Sequence, residues 1–125
     1  MRIFKNAWFH RFTHRESITD KVLIEAIIRA TKGLIDADLG GNVIKQRIAR
    51  PGQGKSGGYR TIIIFKQGER AFFVYGFAKS NRDNLEKDEV EVYKQAAKEL
   101  LALSDAQIEQ LMINKALMEI KDEDE

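Results

Sequence analysis

Apolar residues recur at helical spacing in the first third of the chain. After a strand-like run at residues 2–5, Asn6 can cap a short helix whose apolar face holds Trp8, Phe9 and Phe12. Ser17 or Thr19 opens a second helix, which Lys32-Gly33 ends. Its apolar positions, three or four residues apart, are Val22, Leu23, Ala26, Ile27 and Ala30. The pattern predicts two N-terminal helices, each with one buried side.

Between residues 43 and 77 the apolar pattern is that of strands. A turn is predicted at 36–41 (DADLGG), and in the strand 43–49 Ile44 and Ile48 share one face while Lys45 and Arg47 share the other. The β-branched run 59–65 (YRTIIIF) predicts a central strand, and the hairpin turn KQGE at 66–69 leads to an antiparallel strand at 70–77. Three strands in hairpin succession form a meander, and the two helices can cover one of its faces.

Helical spacing returns near Leu85. One stripe comprises Val90, Tyr93, Ala97, Leu100 and Leu101, and a capping box of Ser104 and Gln107 opens a further helix with Ile108, Leu111, Met112 and Met118. The predicted fold class is α+β: two N-terminal helices packed on a small antiparallel sheet, followed by two C-terminal helices. We expect residues 1–120 to form one domain and the acidic tail 121–125 to be disordered.

Composition narrows the class of protein. The 125-residue chain holds no cysteine, which excludes disulfides, thiolate metal sites and cysteine nucleophiles and suits the cytoplasm. No apolar run is long enough to span a bilayer, and no signal peptide opens the chain, so no membrane partner is expected.

Charge is distributed unevenly along the chain. The net charge of +2 conceals +10 in residues 1–82 and −8 in residues 83–125. Such asymmetry indicates a body that binds polyanions and an acidic appendage, unless acids and bases simply pair across the fold. In the meander, seven cations can meet at one end of the sheet: Lys45, Arg47, Arg50, Lys55, Arg60, Lys79 and Arg82. A phosphate backbone requires such a cluster.

The loop between the first two meander strands, KQRIARPGQGKSGGYR at 45–60, holds five of these cations and four glycines. Glycine-rich backbone suits close approach to phosphates, although a solvated hairpin connection would have the same composition. The loop does not match the nucleotide-binding pattern GxxxxGK[ST], and no helix follows it.

Two histidines, His10 and His14, are four residues apart, with no third ligand at matching spacing, so no metal site is predicted. Acid–base chemistry would then fall to lysine, arginine and tyrosine. A lysine among other cations can act as a base, arginine can stabilise a phosphorane, and Tyr59 and Tyr75 can donate protons or stack, unless they are core residues. An RNA substrate supplies its own 2′-hydroxyl nucleophile, so neither a metal nor a cofactor is required.

The segments VIKQRIARPGQGKSGGYRTIIIF and RAFFVYGFAKSNRDN, within the element order described, resemble the RelE/ParE superfamily, in particular the RelE-like, HigB-type toxins of bacterial type II toxin–antitoxin systems. The resemblance covers roughly residues 1–101. It implies a cytoplasmic endoribonuclease that cuts mRNA on the ribosome and is neutralised by a cognate antitoxin protein.

The resemblance also implies roles for individual residues. Arg60, which follows Gly-Tyr, would stabilise the transition state. Lys45 and Arg47 would act as general base and phosphate contact, and Lys79 and Arg82 would protonate the leaving group and anchor the RNA. The expected RNA-binding residues are Arg50, Lys55, Tyr59, Tyr75 and Arg82. A tyrosine important in related enzymes falls near Glu86 here, while Tyr93, two turns on, is expected in the core.

Two alternatives to mRNA cleavage stay open. A ParE-like toxin of the same fold would inhibit DNA gyrase without cutting RNA, although such toxins generally lack the basic cluster. A non-catalytic nucleic-acid-binding or regulatory module would lose phosphate affinity gradually as cations are removed, whereas an enzyme would lose activity steeply at Arg60 or Lys45.

Overall fold

The computed structural model describes residues 1–50 and 58–121, so the predicted RNA contact Lys55 and the tail residues 122–125 lie outside the described residues. The elements, in chain order, are β1 (Arg2–Asn6), α1 (Ala7–Glu16), α2 (Asp20–Thr31), β2 (Ala37–Gly40), β3 (Val43–Ile48), β4 (Tyr59–Lys66), β5 (Arg70–Ala78), α3 (Lys87–Leu101), α4 (Asp105–Ile113) and β6 (Leu117–Ile120). The α+β class is confirmed.

Short polar side chains begin the helices as their positions predict. The Asn6 carboxamide oxygen accepts a hydrogen bond from the Phe9 amide at 2.7 Å, and Ser104 and Gln107 form the expected capping box. Of the two candidates for starting α2, Thr19 is the N-cap, while Ser17 closes α1 in the left-handed conformation. Each cap satisfies amides or carbonyls that the helix leaves unpaired.

The sheet is larger than the sequence pattern predicts and is not wholly antiparallel. Strands β3, β4 and β5 form the predicted antiparallel meander, but the strand order is β2-β3-β4-β5-β1-β6, with β1 parallel to β5. The predicted turn at 36–41 contains β2, which pairs with β3. A four-residue strand is too short to show an alternating pattern, so β2 resembles a turn in the sequence.

The predicted position of Met118 in the last helix is wrong. Helix α4 ends at Ile113, the chain reverses through Lys115 at φ 60°, and Met118 lies in β6, which pairs antiparallel with β1. Leu117 and Ile120 are both buried in this strand. Apolar residues three positions apart also fit one turn of a helix, so the sequence pattern did not distinguish this strand from a continuation of the helix.

Each face of the sheet has its own core. The first face packs Ile44, Ile48, Tyr59, Ile63 and Phe73 with residues of α1 and α2, among them Phe9, Phe12, Leu23 and Ile27. The second face packs Phe4, Val43, Ile62, Ile64 and Phe72 with Ala97 of α3, Ile108 of α4 and Leu117. Side chains alternate between the faces along each strand, so a residue's position fixes the core that it joins.

Candidate nucleic-acid interface

Cations collect at one end of the second face. Arg47 lies opposite Arg60 in the β3–β4 register, and Arg60 lies opposite Phe77 of β5. Alternation places Lys45 and Arg47 on the face of Val43, and Arg60 on the face of Ile62. Lys79, just past β5, donates its amide to the Gly58 carbonyl at 3.4 Å and is exposed. We call Lys45, Arg47, Arg60 and Lys79 the cationic end.

Arg60 is buried without full hydrogen bonding. Its relative exposure is 9%, and among the described residues its Nη1 has no hydrogen-bond partner. A buried donor without an acceptor costs free energy that any anion reaching it would recover. Arg60 is therefore prepared to bind a group such as a phosphate oxygen.

Gly58 allows β3 and β4 to approach closely beside Arg60. A Cβ at this position would lie 2.0 Å from the Ile48 carbonyl oxygen and 3.1 Å from the Arg50 amide nitrogen, and both are backbone atoms. No larger residue fits here without separating the strands. The glycine before Tyr59 thus serves close packing of the strands that carry the arginines.

Arg47 is held by an acid that the sequence pattern does not single out. The Asp36 carboxylate accepts hydrogen bonds from the Arg47 amide at 2.7 Å and from its Nε at 3.1 Å. Burial raises the pKa of Asp36, but the hydrogen bonds and charge of Arg47 outweigh burial, so this pKa lies below its ordinary value. Asp36 falls within the predicted turn, where an aspartate is expected for backbone reasons alone.

Arg82 anchors the connection that follows β5. It donates two hydrogen bonds to the Glu89 carboxylate, one at 3.1 Å, and one to the Asn84 carbonyl at 3.0 Å. Hydrogen bonding to Glu89, and then to Tyr75, raises the pKa of Arg82. Asn84 also accepts a hydrogen bond from Lys45 Nζ at 2.6 Å. The connection is thereby fastened to both β3 and α3.

Tyr59 does not reach the cationic end. It lies on the first face at 2% exposure, and its hydroxyl donates to Glu16 at 2.9 Å. Burial, and then Glu16, raise the pKa of the Tyr59 hydroxyl. The Arg50 guanidinium lies 5.6 Å from the Tyr59 ring centroid, and Arg50 is partly exposed.

Tyr75 belongs to the second face and lies in an aromatic row. Its ring centroid is 4.7 Å from that of Trp8 and 6.2 Å from that of Tyr93. Burial, and then Tyr75, raise the pKa of Tyr93 to about 12. The row borders the cationic end on the side where α3 covers the sheet.

The two histidines lie together on α1, with ring centroids 6.2 Å apart. Burial lowers the pKa of His10. Within residues 1–50 and 58–121, no three histidine, cysteine or acidic side chains are grouped as a metal ion requires. No helix in these ranges is long and apolar enough to cross a membrane.

Comparison with known proteins gives the family. The family described as the RelE toxin of the RelE/RelB toxin–antitoxin system matches residues 1–120. The chain therefore belongs to the RelE toxin family, as the resemblance predicts, and the family implies a cognate antitoxin as partner. A search of curated proteins found no match.

Proposed function

We propose that this toxin is an endoribonuclease that cleaves mRNA on the ribosome in the cytoplasm, without a metal ion, until its antitoxin binds. The observation that carries the proposal is the buried Arg60, whose Nη1 has no hydrogen-bond partner among the described residues, at the end of the sheet where Lys45, Arg47 and Lys79 also lie. A site that only tethers a backbone has no need of a buried arginine with an unpaired Nη1, because exposed lysines and arginines suffice.

In the proposed reaction, the 2′-hydroxyl of the RNA attacks the adjacent phosphorus. Lys45 takes the hydroxyl proton, and the bond to the 5′-oxygen breaks as Lys79 gives that oxygen a proton. The products are a 2′,3′-cyclic phosphate and a 5′-hydroxyl. Arg60 donates from Nη1 to a non-bridging oxygen, on which negative charge grows in the transition state.

The other cations hold the substrate. Arg47 would contact the same phosphate from the neighbouring strand, because residues directly opposite on antiparallel strands lie close together. Arg50 and the exposed Lys79 extend the positive surface along the RNA backbone. Arg82 pairs with Glu89 and donates to the Asn84 carbonyl, and its role is to fasten the connection carrying Lys79.

The test is inducible expression in a bacterial host with mapping of mRNA 5′ ends. Arg60→Ala is compared with Arg11→Ala, which removes an exposed arginine of α1 and serves as the matched control. We expect growth arrest and codon-phased cuts with wild type and Arg11→Ala, and neither with Arg60→Ala. Loss of one transition-state donor typically lowers turnover about 100-fold or more. Arrest with intact mRNA would contradict the proposal and favour gyrase as the target.

A further inference from the structure

Asp36 has an unusually complete set of contacts with one arginine. Its Oδ2 accepts the Arg47 backbone amide at 2.7 Å, and its Oδ1 accepts Nε at 3.1 Å and lies 3.0 Å from Nη2. A carboxylate that binds a guanidinium through two nitrogens fixes its orientation as well as its charge. The Arg47 guanidinium cannot leave this arrangement without losing two contacts.

Asp36 is itself fixed from the interior of the protein. Its amide donates to Gln46 Oε1 at 2.7 Å, and Gln46 is fully buried. The Gln46 Nε2 donates in turn to the carbonyls of Ala26 and Leu34 at 3.1 and 3.2 Å. Gln46 lies on the first face, so an amide inside one core fixes the acid that holds an arginine on the opposite face.

Arg29 reinforces this arrangement from α2. Its Nη2 donates to the Arg47 carbonyl at 2.6 Å, and its Nη1 lies 3.9 Å from Asp36 Oδ2. Three elements, α2, β3 and the segment before β2, therefore define where Arg47 sits. Without them the Arg47 side chain, which is 45% exposed, would be free to sample other rotamers.

We propose that Asp36 is a positioning residue, which fixes the orientation of the Arg47 guanidinium at the cationic end for contact with a phosphate group. This inference rests on the proposed ribonuclease function. Asp36 does not touch the substrate and acts only through Arg47.

A positioning role predicts a specific kinetic signature for Asp36→Asn. The amide has the size of the carboxylate but no charge and only one acceptor oxygen, so the hold on the Arg47 guanidinium weakens while the cationic end gains net positive charge. RNA binding should therefore hold or strengthen, while kcat falls about 10- to 100-fold because Arg47 is misplaced. An acid that merely opposed RNA binding would also give tighter binding on its removal, but with no loss of kcat.

The experiment uses the purified full chain on ribosomes programmed with a defined mRNA, with kcat and KM measured separately. Affinity is measured on the same mRNA with a 2′-deoxynucleotide at the cleavage site, which cannot react. Asp38→Asn is the matched control, since it makes the same charge change two residues away, where Asp38 only accepts the Gly40 amide at 2.9 Å. Asp36→Asn is also measured in an Arg47→Ala background.

We expect Asp36→Asn to lower kcat, Asp38→Asn to leave it unchanged, and the effect of Asp36→Asn to disappear when Arg47 is alanine. Equal kcat values for the two single variants, or the same loss in the Arg47→Ala background, would overturn the positioning role. If Asp36→Asn does not fold, Asp36→Glu is put through the same cycle. Wild type that cuts no mRNA would overturn the proposed function and this inference together, whereas active wild type with unaffected Asp36 variants would overturn this inference alone.

Discussion

Strands β3, β4 and β5 form both ends of the sheet's second face, but the two ends carry different side chains. At one end Val43, Ile64 and Phe72 lie side by side in register, each at 0% exposure, in the core that includes α3 and α4. At the other end the corresponding positions are Arg47, Arg60 and Phe77. Strand geometry is therefore shared, and only side-chain chemistry and helix coverage separate a core from a cationic surface.

The two ends also differ in what they contribute to the free energy of unfolding. The covered end gains free energy from every apolar group removed from water. The cationic end keeps Arg60 buried with its Nη1 unpaired among the described residues, which costs free energy. We interpret this cost as the requirement of a site built to receive an anion.

The covered end should be the more sensitive to loss of volume. Ile64→Ala removes a fully buried side chain that lies in register with Val43 and Phe72, and we expect the free energy of unfolding to fall by about 2–5 kcal/mol in urea denaturation. Ile28→Ala is the control, because Ile28 is 45% exposed and its loss should cost under about 0.5 kcal/mol. Equal losses for the two variants would contradict the assignment of Ile64 to a packed core.

Gly58 lies where β3 and β4 approach each other at the cationic end. We expect Gly58→Ala to lower the free energy of unfolding by about 1–3 kcal/mol, because the new Cβ collides with the Ile48 carbonyl. It should also reduce mRNA cleavage, since Arg60 moves with its strand. Gly33→Ala is the comparison. Gly33 has φ +81°, and no described atom lies within 4 Å of a Cβ built there. The expected fall of about 1–2 kcal/mol in the free energy of unfolding therefore comes from backbone strain alone. Full cleavage activity in Gly58→Ala would contradict the need for this close approach.

The meander was predictable because its strands are long and its turn is short. The β-branched run from Tyr59 and the hairpin at 66–69 specify an antiparallel pair locally. Strand β1 was recognised, but its parallel place beside β5 depends on the helices that separate them in sequence, and no local pattern contains that information.

For the candidate site, alternation along β3 was enough to put Lys45 and Arg47 on one face. Alternation along β4 likewise puts Tyr59 on the face opposite Arg60. The tertiary structure was needed to show that Asp36, Asn84 and Glu89 pair with Arg47, Lys45 and Arg82 respectively. The partner of a basic residue depends on packing between distant segments. The sequence therefore predicts that a surface is positively charged, but not which of its cations are paired with other side chains.

Replacing Arg60 should separate stability from activity at the cationic end. Arg60→Met keeps an unbranched side chain and removes a buried donor that has no partner among the described residues, so we expect the free energy of unfolding to rise by about 1 kcal/mol while cleavage is lost. Arg70→Met is the contrast, because Arg70 donates to the Leu103 carbonyl at 2.6 Å and to Asp105 at 3.0 Å, and its loss should destabilise. A less stable Arg60→Met protein would contradict the cost assigned to Arg60.

The smallest effect should come from the ion pair that fastens the connection after β5, and it should depend on pH. Hydrogen bonding to Arg82 holds the pKa of Glu89 below its ordinary 4.5. A carboxylate with a lowered folded-state pKa contributes stability above its unfolded pKa and loses it as pH falls through the folded value.

The melting temperature of wild type should therefore lie slightly above that of Glu89→Gln at pH 7. This gap between the two melting temperatures should close as the pH falls below 4.5. Glu91→Gln changes an exposed acid of the same helix, 3.7 Å from Lys94, and should show little gap at any pH. The melting temperatures of the three proteins are measured from pH 7 to pH 3. No gap at pH 7 would mean that Glu89 stabilises α3 through its hydrogen bond to the Glu86 amide, which glutamine can also accept, and not through Arg82.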